Sequence, residues 1–199
     1  MAATASPYGL RAVNHLGGTP YAGSTRMYPI ASGTATNIYY GDVVNVLNTG
    51  FLTQNVTTGA VAAPFVVGTV GVFVGCTFTD PNSGNITFRQ NYPTGTVAAD
   101  ILAYVVDDPA AIFQVQANGA VAQAGLGSNC FLVVQATGTG NLSSGNSTTA
   151  AVAATVQTAA AFKIVGFVDS PTSTVGDAFT DLLVKFNPAA HAYTNGLGI

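Results

Sequence analysis

The residues able to do chemistry are few in this chain of 199 and stand far apart. Every acid is an aspartate: Asp42, Asp80, Asp100, Asp107, Asp108, Asp169, Asp177 and Asp181. A pair of carboxylates can hydrolyse a glycoside only if the fold sets them across one cleft. The glutamate so often recruited as the acid with a raised pKa is missing altogether. Asp42, Asp80 and the pair Asp107–Asp108 lie next to Gly or Pro, where an aspartate oxygen ordinarily accepts from the N–H groups of its own turn. The segment 80–85 (DPNSGN) has a faint likeness to a calcium loop, but no bidentate acid follows it. His15 and His191 have no His or Cys at ligand spacing. Cys76 and Cys130 sit in the apolar runs VFVGCTF and GSNCFLV, which reads as two buried free thiols, with one disulfide as the alternative. There is no G-x-S-x-G elbow, no P-loop and no G-x-G-x-x-G opening a helix. This inventory assigns no catalytic residue, no metal ligand and no cofactor.

Composition points the same way. Only 7% of residues are charged and 48% are hydrophobic, with 23 Gly and no Trp, whereas an average soluble domain is about 25% charged. A chain so poor in charge fits a working life packed against other protein. Its basic residues, Arg11, Arg26, Arg89, Lys163 and Lys185, are scattered. The clustered cations that drive nucleic-acid binding are absent, so no nucleic acid is expected. The start, MAATASPY, has neither a basic region nor an apolar core of a leader, and no apolar run approaches the ~18 residues of a membrane span. The expectation is synthesis and folding in a cytoplasm, without a membrane. The sequons at Asn55, Asn85, Asn141 and Asn146 are what chance supplies in a sequence rich in Asn, Ser and Thr.

The elements that must position these residues read as short strands separated by turns. Candidates are 27–30 (MYPI), 37–40 (NIYY), 43–47 (VVNVL), 51–54, the long run 65–78, 86–90 (ITFRQ), 101–106 (ILAYVV), 112–116 (IFQVQ), 130–135 (CFLVVQ), 162–168 (FKIVGFV) and 179–186 (FTDLLVKF). Gly68, Gly71 and Gly75 interrupt the long run and predict bulges or a tight bend. Segment 80–85 predicts a hairpin loop into 86–90, where Ile86, Phe88 and Gln90 share one face. Segment 137–149 reads as a loop, and the Ala-rich surroundings of 155–158 leave a helical turn or two open. No amphipathic helix of four turns is present. The expected fold is all-β, an antiparallel β-barrel or β-sandwich of jelly-roll-like type, with residues 27–199 as a single β domain. Residues 1–26 read as an extended N-terminal arm whose anchors order on a partner. Removing residues 2–24 is accordingly expected to leave the β domain folded.

The stretches 3–30 (ATASPYGLRAVNHLGGTPYAGSTRMYPI), 70–109 (VGVFVGCTFTDPNSGNITFRQNYPTGTVAADILAYVVDDP) and 176–191 (GDAFTDLLVKFNPAAH) resemble capsid cement, or head-decoration, proteins of tailed bacteriophages, of the short-tailed type that infects cyanobacteria. Segment 119–161 contributes nothing to the resemblance. It implies a structural virion protein on the outside of an icosahedral shell, bridging capsomers of the major capsid protein and assembled in the host cytoplasm. Self-association into a homotrimer, with a dimer as the alternative, would hide sheet edges by symmetry. The residues expected to meet the capsid lie in the arm: Tyr8, Leu10, Arg11, His15, Tyr21 and Arg26. One rival reading is a carbohydrate-binding module of a tail or fibre, stacking sugar on Tyr92 and Tyr193. Another is a small hydrolase using scattered aspartates such as Asp107.

Overall fold

A computed structural model describes residues 4–55, 68–133, 140–153 and 160–196. Among these, eleven strands and one short 3₁₀ turn (Gln123–Gly125) make up the regular structure. The strands are β1 (Arg11–His15), β2 (Arg26–Pro29), β3 (Val43–Val46), β4 (Leu52–Gln54), β5 (Thr69–Thr79), β6 (Ile86–Arg89), β7 (Leu102–Val106), β8 (Ala111–Gln116), β9 (Asn129–Cys130), β10 (Phe162–Phe167) and β11 (Asp181–Phe186). No helix among the described residues is long and apolar enough to cross a membrane. The expected strands at 65–67 and 134–135, part of the loop at 137–139 and the ambiguous 155–158 lie outside the described residues.

The strands form two antiparallel sheets. The first runs β1-β8-β11-β10-β9 and the second β2-β7-β5-β3-β4, with β6 pairing the far half of β5. Both run from edge to edge, so the architecture is a sandwich and the barrel alternative gives way.

Alternation builds the first sheet. Phe113 and Val115 of β8, Leu182, Val184 and Phe186 of β11, and Phe162 and Ile164 of β10 point one way and are buried. They pack with Val43, Val72 and Val106 of the second sheet in one core. Phe113 and Phe162 meet Phe186 at ring separations of 5.7 and 4.6 Å, within the range where aromatic pairs attract beyond simple burial. The second sheet is buried on its other face too. There Val44, Phe73, Cys76, Ala103 and Val105 pack against Ile30, Ile38, Tyr92 and Ile101 from the connecting segments. This double burial explains why β5 reads as a nearly continuous apolar run. Its glycines let neighbours come close: a Cβ on Gly71 would stand 2.0 Å from the Val106 carbonyl oxygen.

The extended arm is corrected. Residues 4–26 do not leave the body. Strand β1 is the edge strand of the first sheet, with Arg11 opposite Gln114 and His15 opposite Ala111. Upstream, Ser6 N donates to Gln116 Oε1 at 2.7 Å and Gly9 N to the Thr149 carbonyl at 3.1 Å. Downstream, Leu16 N donates to the Ala110 carbonyl and Tyr21 N to the Val13 carbonyl, folding the chain back on itself. The reason is that β8, whose inner face is core, would otherwise present an unpaired edge, and β1 supplies its partner.

Candidate interaction surface

One face of the second sheet continues past the core. The row Val43, Val72, Val106 faces the first sheet. The register carries the same face outward through Met27, Tyr104 and Gly75, then through Pro29, Leu102, Thr77 and Phe88, and ends at Thr79 and Ile86. No charged residue stands in these rows. Exposure reaches 81% at Ile86, 61% at Phe88, 56% at Met27 and 37% at Leu102. Gly75 makes the surface possible: the Phe88 ring lies over it, 2.6 Å from where a Cβ would sit, and reaches Tyr104 across it at a ring separation of 6.0 Å. A contiguous exposed apolar patch on a sheet marks a protein–protein contact more often than chance surface.

The residues expected to contact a capsid are placed differently. Leu10 is fully buried in the core, and its N–H donates to the Gly41 carbonyl at 2.9 Å, so it is corrected from contact residue to core residue. A Cβ on Gly41 would come within 2.9 Å of Leu10 N, so this crossing needs glycine. Tyr8 is half-buried, and its hydroxyl donates to Asp181 Oδ1 at 3.0 Å. Burial, then the Asp181 charge, raises its pKa. Arg11 is exposed, with its guanidinium 4.5 Å from the centre of the Tyr8 ring.

His15, Tyr21 and Arg26 converge on the turn between β7 and β8. His15 Nδ1 lies 3.0 Å from Asp108 Oδ2, and its ring meets Tyr21 at 5.5 Å. The Tyr21 hydroxyl donates to the Ser24 carbonyl, and burial followed by Asp107 and Asp108 pushes its pKa up to about 12. Arg26 Nε sits 3.0 Å from Asp107 Oδ2, which also accepts from the Tyr28 hydroxyl at 2.9 Å. Arg26 Nη1 donates to Tyr193 Oη at 3.2 Å, and its guanidinium covers the Tyr193 ring. The hydroxyls of Tyr28 and Tyr193 also meet, and Tyr193 N donates to Nδ1 of buried His191 at 3.3 Å. Sequence reading put these groups in three unrelated roles. The fold makes them one clasp that ties strand β2 and the C-terminal segment to the 107–108 turn.

The remaining candidates are engaged locally. Asp80 Oδ1 accepts from Asn82 N at 2.9 Å and Asp108 Oδ1 from Ala110 N at 2.7 Å, as turn aspartates do. Asp100 accepts from Thr79 through both backbone and hydroxyl, which lowers its pKa. Cys76 and Cys130 are free and buried, and burial pushes both thiols up to about 12, so neither is a ready nucleophile. Among the described residues no group of three or more His, Cys, Asp or Glu could hold a metal ion. Tyr92 is fully buried beneath the segment that carries it and has no face free to stack on a sugar. A shallow open groove of about 360 Å³ lies beside the hairpin, lined by Asp80, Pro81, Asn82, Arg89, Thr94 and Val97 among others. Sequence reading found the shared face of Ile86 and Phe88. It had no signal that this face is outside, because that depends on where the first sheet ends. No family model, no curated protein and no solved structure matches this chain.

Proposed function

We propose that this chain is a structural virion protein, a cement or decoration subunit bound to the outside of an icosahedral phage shell. The observation that carries the reading is the uncharged apolar sheet face of Met27, Leu102, Phe88 and Ile86, left open on a molecule that is only 7% charged. Such a face adheres by burying apolar area, at roughly 25 cal/mol per Å² before the costs of association. It suits a partner with an equally flat apolar patch, and the major capsid protein is that partner here. Many modest contacts repeated over a symmetric lattice add up to stable decoration. The sequence resemblance to cement proteins supports the same assignment. The contact moves from the arm, whose residues are largely engaged within the fold, to this sheet face.

The test is co-sedimentation of the purified protein with shells of the major capsid protein. Wild-type protein should saturate shells at a fixed stoichiometry. Met27→Lys together with Leu102→Lys should reduce occupancy by about tenfold or more, with an unchanged unfolding curve. Full occupancy by a folded double variant would refute the face, and no binding by wild type would refute the function.

A further inference from the structure

We propose that strand β6 is a self-association edge, through which two copies of this chain pair antiparallel about a two-fold axis at Thr87. Three observations lead there. First, β6 hydrogen-bonds to β5 on one side, and among the described residues no strand pairs its other side. An unpaired edge carrying exposed Ile86 and Phe88 is the kind of strand natural proteins shield. Second, the strand is complementary to itself. With Thr87 on the axis, Ile86 lies opposite Phe88 of the partner subunit, and the same pair recurs by symmetry. Both residues project from one face, so each apolar side chain meets an apolar side chain at the roughly 5 Å spacing of cross-strand neighbours.

Third, the opposite face is complementary in charge. Arg89, Cys76, Phe78 and Asp80 share that face, and Asp80 closes the hairpin against Asn85 through an N–H donated to the Asn85 carbonyl at 2.9 Å. The same register puts Arg89 opposite Asn85 of the partner subunit. Asp80 of the partner subunit then lies one strand further on, about 9.6 Å from the Arg89 backbone at two strand spacings. An arginine and an aspartate leaning toward each other across one strand bridge that gap. Arg89 makes no direct ion pair among the described residues; the Asp80 carboxylate of its own chain acts on it only at longer range, and Asp80 uses Oδ1 on Asn82 N, so the cross-strand pair joins these contacts through Asp80 Oδ2. The axis generates two such pairs. The occupant is therefore a second copy, since the apolar row and the charges both find their match in the same strand reversed. The paired sheets would join their uncharged faces into one surface twice as wide. The pairing rests on β6 alone, and a chain that dimerises yet ignores shells would leave it intact.

Sedimentation velocity of the full chain over about a hundredfold range of concentration reads the oligomer. Wild type should form a dimer. Arg89→Asp alone and Asp80→Arg alone each place like charges in both symmetric pairs, and each should weaken the dimer by about tenfold or more. An equimolar mixture of the two should recover it, since both cross-pairs become attractive again. Thr87→Cys, which leaves both charges and the apolar row in place, should cross-link copies on mild oxidation, while Ser83→Cys at the hairpin tip should not. A wild-type monomer at the highest concentration, a trimer, a dimer indifferent to both reversals, a mixture that stays monomeric, or a Thr87→Cys chain that fails to cross-link would each overturn the proposal.

Discussion

Asp42 is the residue with most at stake. It is fully buried and its Oδ2 accepts from Tyr39 N and from Gln54 Nε2, each at 2.8 Å. Burial outweighs these bonds and a further one from Ser147, and raises its pKa from 3.8 to about 6. A carboxyl more easily protonated in the fold than in the unfolded chain stabilises the fold most in acid. That stability is full below 3.8 and is lost as pH rises to about 6, a loss of roughly 3 kcal/mol by linkage. His191 acts in the opposite sense. Burial, only partly offset by Asp107, lowers its pKa below 6.5, so its contribution is present above 6.5 and lost as pH falls below it. Urea unfolding at pH 4.5 and 7.5 separates the two. Asp42→Asn should remove the penalty at pH 7.5, and His191→Gln should remove the loss at pH 4.5. A pH dependence unchanged in both variants would mean that neither group titrates as placed.

At the scale of elements, β5 and its neighbours depend on close backbone approach. Gly71→Ala would drive a methyl group to 2.0 Å from the Val106 carbonyl oxygen, and backbone cannot give way cheaply. The expected cost is about 3 kcal/mol or more, read as a lower denaturation midpoint or loss of folding. The first sheet carries a milder conflict. Lys163 and Lys185, both of the chain's lysines, stand directly opposite on β10 and β11. Like charges facing across strands destabilise, so Lys163→Gln should stabilise by a few tenths of a kcal/mol at low salt, and added salt should erase the gain. Strand β1 was hidden from sequence reading. RAVNH lacks clean alternation and sits among glycines and prolines, so it looks like an arm. What makes it a strand is the vacant edge of β8, far away in the chain, where Arg11 comes to lie opposite Gln114 and His15 opposite Ala111.

For the whole molecule, the same finding reverses an expectation. Deleting residues 2–24 removes Leu10 from the core and the partner of β8. The truncated chain should unfold at markedly lower denaturant or aggregate through the bared edge, as a unfolding curve and light scattering would report. A truncated chain as stable as the full one would mean that β1 is dispensable. Shell binding through an uncharged face should also tolerate salt: occupancy in about 1 M NaCl should match that in about 0.1 M, where a contact built on exposed ion pairs would be lost.

Composition and local pattern were enough to determine the all-β class, the turn roles of Asp80 and Asp108, though not the distant partners of Asp107, and most strand positions. Alternation such as that of 112–116, and turn chemistry such as that of 80–85, act over a few residues and are legible in any sequence that has them. Three things awaited the tertiary structure: which edge β1 would fill, the gathering of Arg26, Tyr28, Asp107, His191 and Tyr193 into one clasp, and the exposure of Ile86 and Phe88 on a face that begins as core. Each depends on contacts between segments distant in sequence, and on how far one sheet extends beyond the other. Local residue preferences carry no information about either.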